Sequence, residues 1–99
     1  MTENPLDTIK KLDLDFFNVI SQNRTFAYKD GVLSAKTKYL IAMAIDASHG
    51  ATAGVTSLAR QAINAGATKE EIAETLHVVN YISGVASIYT AANGLKDIF

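Results

Sequence analysis

The segment Ala65-Gly66-Ala67-Thr68-Lys69-Glu70-Glu71 stops one helix and starts the next. Gly66 suits the left-handed position that ends many helices. The Thr68 hydroxyl can accept from the Glu71 amide while the Glu71 carboxylate reaches back to the Thr68 amide, a reciprocal capping box. Similar punctuation recurs along the chain. Asn4 before Pro5 reads as a helix start, with Asp7 near its positive end. Asp30-Gly31 marks a turn, Ser34 reads as an N-cap, Ser48-His49-Gly50 ends or bends a helix, and Gly84 separates or kinks the last two.

Apolar residues recur at helical spacing between these marks. Ile9, Leu12, Phe16, Val19 and Ile20 predict one amphipathic helix over 5–22, with 24–33 outside it. Leu40, Ile41, Ala44, Ile45 and Ala47 supply the helix after Ser34. A third helix over 51–65 is rich in Ala, Thr, Ser and Gly until Leu58, so it should sit in the core or at an interface. Ile72, Leu76, Val79 and either Ile82 or Ser83 define the fourth, and Val85, Ile88, Leu95 and Phe99 anchor the last. No run alternates with period two. The expectation is one all-α domain over 1–99, an antiparallel bundle of about five helices.

Composition narrows the partners. Nine Lys+Arg oppose ten Asp+Glu, a net charge of −1, so neither nucleic acid nor a membrane surface is expected as a partner. Cysteine is absent, which excludes disulfides, Cys-ligated metals and thiol mechanisms. The two histidines lack a metal-binding spacing, Asp13-Leu14-Asp15 is too short for a calcium loop, and no Gly-rich phosphate loop is present. No metal and no cofactor are expected. The uncharged run from Val78 to Leu95 carries Asn80, Ser83, Ser87, Thr90 and Asn93, which suits a buried helix pair better than a membrane span. The polar start Met1-Thr-Glu-Asn-Pro lacks an export pattern, and a cytoplasmic location is expected. Apolar residues make up 48% and charged ones 19%. A small chain so composed is expected to bury surface against copies of itself.

Several polar residues are candidates for function. Arg24, Lys29, Lys36 and Lys38 are opposed locally only by Asp30, and form either an anion site or a solvated connector. Asp46 and His49 lie three apart and can share a helix face. The free amides of the helix that follows can hold a carboxylate or phosphate. His49 is then an acid, a base or a donor to a ligand, or else only a favourable cation at a helix end. Met43 either floors a pocket there or fills the core. Tyr28, Tyr39 and Tyr89 suit half-buried packing with a wet hydroxyl. His77, Asn80 and Tyr81 form a polar stripe, for a buried or an interface hydrogen bond or a pocket wall. Arg60 either faces solvent or pairs across an interface.

The stretches Leu33-Ser-Ala-Lys-Thr-Lys-Tyr-Leu-Ile-Ala-Met-Ala-Ile and Ala62-Ile-Asn-Ala-Gly-Ala-Thr-Lys-Glu-Glu-Ile-Ala-Glu-Thr-Leu resemble the carboxymuconolactone decarboxylase family, which includes the alkylhydroperoxidase D-like proteins. The likeness runs from Asp30 to about Leu95. It implies an all-α fold and assembly as a trimer or hexamer. It also places the redox branch's CxxC pair on Ala51 and Gly54, its histidine on Leu58 and its acidic residue on Tyr39. The histidine that some members carry within the CxxC falls on Ala53, and the decarboxylase branch's histidine also falls on Leu58. None of these groups is present. Peroxide reduction by that route needs a thiolate and a resolving thiol, so it is not expected here.

Two functions stay open at this point. One is binding of a small organic acid or lactone, or non-thiol acid–base chemistry on it. Its pocket would lie at the start of the third helix, lined by Tyr39, Met43, His49, Ala51, Gly54 and Leu58, with His49, Asp46 and Tyr39 as candidate catalytic groups. The other is a non-catalytic oligomeric scaffold or accessory protein that kept the fold.

Overall fold

Asp13 divides the helix expected over 5–22. In the computed structural model, which describes residues 4–99, α1 spans Leu6–Leu12 and α2 spans Leu14–Tyr28. Asp13 between them is extended (φ −157°, ψ 94°), and its carboxylate accepts from the Phe16 amide at 3.0 Å. It therefore ends one helix and caps the next. The apolar spacing from Leu12 to Phe16 runs across this break and hides it. At the other end α2 continues to Tyr28, past the expected stop, because no Gly or Pro interrupts it before Gly31. The N-cap position of α1 is Pro5 rather than Asn4, and the Asn4 side chain accepts from the Leu6 amide at 3.0 Å just ahead of it.

The remaining helices follow their marks. They are α3 (Ala35–Ser48), α4 (Thr52–Asn64), α5 (Lys69–Ser83) and α6 (Val85–Leu95), and no strand occurs among the described residues. Ser34 accepts from the Thr37 amide at 3.2 Å. The capping box is complete: Glu71 N–H donates to Thr68 Oγ1 at 3.0 Å, and Thr68 N–H to Glu71 Oε1 at 2.9 Å. Gly50, Gly66 and Gly84 have φ of 75°, 105° and 89°, a region that disfavours any residue with a Cβ. Among the described residues six helices thus stand where about five were expected, the extra one created by Asp13.

α3 to α6 share the core. Met43 and Ala47 meet Val55 and Ala59 of α4, Ile72 and Val79 of α5, and Ala91 and Leu95 of α6. Small residues let α4 and α6 approach closely. A Cβ on Gly94 would lie 2.8 Å from Val55 Cγ1 and 2.9 Å from the Thr52 carbonyl oxygen. The Thr56 hydroxyl donates to the Gly94 carbonyl at 2.6 Å across the same contact.

The core is rich in alanine, and alanine contributes little burial free energy. Many of the larger apolar side chains lie outside it. Leu12, Phe16, Val19 and Phe26 are exposed, as are Ile41 and Ile45 of α3. The expected burial of the α5–α6 pair holds only for its inner face. Val78, Tyr81, Ile82, Val85 and Tyr89 are exposed, and so is the expected anchor Phe99. The chain exposes 6884 Å², about 1,400 Å² more than the roughly 5,500 Å² usual for a monomer of this mass. Its radius of gyration is 14.4 Å, against about 12.6 Å for a compact domain of this length. No helix of the described residues is long and apolar enough to cross a membrane.

Candidate functional site

The link between α3 and α4 sets the geometry of the candidate site. The His49 amide donates to the carbonyls of Ile45 (3.1 Å) and Asp46 (3.2 Å), which ends α3. Gly50 turns the chain through its positive φ, and the Ala51 amide returns to the Asp46 carbonyl at 2.9 Å. α4 is thereby folded back onto α3. No side chain caps α4, but the Asp46 carboxylate lies against its first turn, at Gly54. A Cβ on Gly54 would overlap Asp46 Oδ2 and come within 2.8 Å of its Cγ. A negative group at that end of a helix is favourable, so Asp46 does electrostatic work for α4 while filling the space beside Gly54.

The other expected pocket residues divide between core and surface. Met43 is fully buried in the core beside Val55, and half-buried Leu58 packs against the same cluster. Tyr39 is half-buried and stacks on Tyr28 of α2, with ring centroids 4.6 Å apart and planes 29° apart. His49 is exposed. Asp46, Ala51 and Gly54 meet at the start of α4, while Met43 belongs to the interior and Tyr39 to the α2–α3 contact. Within 4 Å, the described residues form one ion pair, Lys36 with Glu71 at 2.8 Å, so Asp46 and His49 do not pair. His77, Asn80 and Tyr81 are all exposed on α5, so the buried hydrogen bond expected of them is not formed within the single chain. Arg60 is exposed too. No three His, Asp or Glu side chains among the described residues gather as a metal site.

The four basic residues are spread rather than pooled. Lys36 bonds Glu71 of α5, and that bond, helped by the Thr68 amide, holds the Glu71 carboxyl below its ordinary range. Arg24 donates to Gln61 Oε1 at 2.8 Å, and the Lys38 ammonium donates to the Lys29 carbonyl at 2.7 Å. The Lys29 ammonium sits 4.9 Å above the Phe26 ring. Asp30 accepts from the Ala35 amide at 2.7 Å. These contacts fasten the connector and α2 to the body.

Two grooves flank α3 instead. One, of about 560 Å³, lies between α2 and α3 and is walled by Ile20, Arg24, Tyr28 and Lys38. The other, of about 510 Å³, lies between α3 and α5 and is walled by Leu40, Ala44, Val78 and Ile82. Ile41 and Ile45 border both, and Tyr39, Met43, His49, Ala51, Gly54 and Leu58 line neither. The sequence carried one signal for these grooves. The doublets Leu40-Ile41 and Ala44-Ile45 give α3 more apolar surface than one core face uses.

Comparison with known proteins agrees with this architecture. The model of the carboxymuconolactone decarboxylase family matches residues 15–97. The apo crystal structure of a carboxymuconolactone decarboxylase family protein from Legionella pneumophila superposes with a TM-score of 0.85 and 32% sequence identity, over 92% of this chain and 81% of that one. No curated protein matches the sequence. By sequence and by fold, the chain belongs to the carboxymuconolactone decarboxylase family.

Proposed function

We propose that the protein acts as a subunit of a homo-oligomer, a scaffold or accessory protein that keeps the family fold without its thiol chemistry. The observation that carries this reading is the surface. About 1,400 Å² beyond a typical monomer is exposed, and large apolar side chains occupy it while alanines fill the core. A standard interface takes about 800 Å² from each partner, so the excess is of the size an assembly uses. The start of α4 supports the second half of the reading. Ala51 and Gly54 offer no nucleophile, and the Asp46 carboxylate covers Gly54. Light scattering on the purified chain at tens of micromolar should give about three or six times 10.6 kDa. A monomer there overturns the assembly, and peroxide turnover by thiol-free protein overturns the loss of chemistry.

A second reading keeps a ligand. Exposed His49, at the Gly50 turn beside Asp46, stays accessible to a small organic acid or lactone in a pocket completed by a neighbouring copy. Asp46 opposes an anion at that place, so the two readings separate cleanly. A ligand at 100 times its Kd stabilises by about 2.7 kcal/mol, or roughly 10–20 °C for a domain of this size. A saturable shift of that order with such acids or lactones, lost in His49→Ala, favours the pocket. A flat screen favours the assembly protein.

A further inference from the structure

We propose that the groove between α2 and α3 binds a medium-chain alkyl carboxylate, with its head on Lys38 and Arg24 and its tail over Ile41 and Ile45. The proposal is independent of the assembly reading, because one chain builds the whole groove.

The groove has a volume of about 560 Å³, within the range of small-molecule sites. Its two ends differ in chemistry. At one end the Lys38 ammonium reaches the Lys29 carbonyl, just past α2, and Tyr28 is pinned against Tyr39. Arg24 follows one turn back along α2. Ile20 and Ile45 line the other end, with Ile41 and Ala42 between. Tyr28 to Ile20 is eight residues of α2 and Lys38 to Ile45 is seven of α3, so the groove runs about 10–12 Å. The ridge of Ile41 and Ile45 leads on to the α3–α5 groove, where Leu40, Val78 and Ile82 extend the apolar surface.

Charge selects the head group. Arg24 and Lys38 are the charged residues on the walls, and no carboxylate lines the groove. Each cation is tied to a neutral acceptor, Gln61 Oε1 for Arg24 and the Lys29 carbonyl for Lys38. A guanidinium has five N–H donors and an ammonium three. Both groups therefore keep donors and charge while the ties hold them in place. The acids of the neighbouring elements are engaged or distant. Glu71 takes Lys36, Asp30 accepts from the Ala35 amide, and Asp46 lies against Gly54. α4 carries no acid. Asp15 of α2 is nine residues from Arg24, about 14 Å along the helix. The other cations beside α2 lie off the groove: Lys29 sits over the Phe26 ring and Lys10 over the Phe17 ring.

An apolar floor with two uncompensated cations toward one end fits a ligand divided in the same way, one alkyl chain and one carboxylate. The planar fork of Arg24 matches a carboxylate. A compact diacid or lactone would leave Ile20 and Ile45 uncovered.

Calorimetric titration with decanoate, kept below its micelle concentration, tests this. The purified protein should bind it saturably, with a Kd of about 0.1–1 mM for so small a ligand. Acetate, the head without the tail, and decyltrimethylammonium, the tail with the opposite charge, should each bind at least about tenfold more weakly. Arg24→Gln and Lys38→Gln should each weaken decanoate about three- to tenfold, and Lys38→Arg should restore most of the loss. Ile41→Glu, at an exposed position, should abolish binding, with circular dichroism checking the fold. Light scattering on the same samples separates this proposal from the assembly reading. Saturable binding at unchanged mass supports the site whatever that mass is. No saturable heat overturns it, and if Ile41→Glu then also lowers the mass, a second copy fills the groove. Equal binding of decyltrimethylammonium overturns the head contacts, and equal binding of acetate the tail contacts. Decanoate affinity indifferent to both glutamine variants overturns the placement in this groove.

Discussion

Every buried side chain among the described residues lies between Met43 and Leu95, while α1 and α2 bury none. The two regions are held by different means. α3 to α6 surround Met43, Val55, Ile72 and Leu95 and exclude water from one another. α2 is fastened to them by separate ties: the Tyr28–Tyr39 stack, the Arg24–Gln61 bond and the bond from Lys38 to the Lys29 carbonyl. Exposed ties of this kind contribute little each. The comparison teaches that α3–α6 holds the core and that α1–α2 is joined to it by surface ties, which leaves the apolar residues of α1–α2 for the second copy that the assembly reading proposes.

The strongest way to break that comparison is to cut both regions at equal chemistry. Met43→Ala should cost about 2–5 kcal/mol, because the site lies among rigid helices and cannot collapse fully. Phe16→Ala removes a larger side chain but an exposed one. Its effect at dilutions where the protein is monomeric should stay within about 0.5 kcal/mol, as for ordinary surface changes, and grow with protein concentration as assembly links to folding. Denaturant midpoints at two concentrations measure both. Equal losses at high dilution would show that α2 belongs to the body.

The same division explains what the sequence made legible. Ser34, Gly66, Thr68-Glu71 and Gly84 act on amides within a few residues, so their chemistry reads directly from the order of residues, and the structure shows each of them. The family likeness also rests on that stretch. Asp13 is equally local, but the apolar positions on either side keep helical spacing across it and mask the cap. The site was less legible because spacing places side chains on a face without saying what covers the face. Met43 by position suits a core or a pocket floor, and the packing places it in the core. Asp46 and His49 share a spacing that allows a pair, yet the turn at Gly50 and the return of α4 set Asp46 against Gly54. The grooves depend on where α2 and α5 lie relative to α3, which no single helix encodes.

A smaller effect sharpens the picture at the start of α4. Gly54→Ala gains about 0.8–1.0 kcal/mol of helix propensity, but its Cβ must displace the Asp46 carboxylate. That displacement also removes the carboxylate from the helix end it favours. In the native background the two effects should roughly cancel or leave a net loss of up to about 1 kcal/mol. In Asp46→Ala the steric term vanishes, and Gly54→Ala should stabilise by about 0.8–1.0 kcal/mol. A double-mutant cycle on thermal or denaturant stability measures the coupling. Additive single effects would mean that Asp46 does not occupy the space beside Gly54.

The smallest effect links α3 to α5 through protons. The Lys36 ammonium, then the Thr68 amide, lower the Glu71 pKa from 4.5. A carboxyl whose folded pKa lies below its unfolded value binds fewer protons in the native state near that pH. Its contribution is therefore complete above the unfolded pKa and is lost as pH falls through the folded one. Both side chains are about a third exposed, 31% for Lys36 and 38% for Glu71, so salt should weaken the bond. Stability measured from pH 6 downward should fall less steeply in Glu71→Gln than in the native chain, with most of the difference gained below the unfolded pKa. Lys36→Met should remove most of the same difference, because the ammonium is the leading cause of the shift. If Lys36→Met leaves the acid limb unchanged while Glu71→Gln flattens it, the capping box alone holds the carboxylate, and the tie between α3 and α5 at this point is apolar.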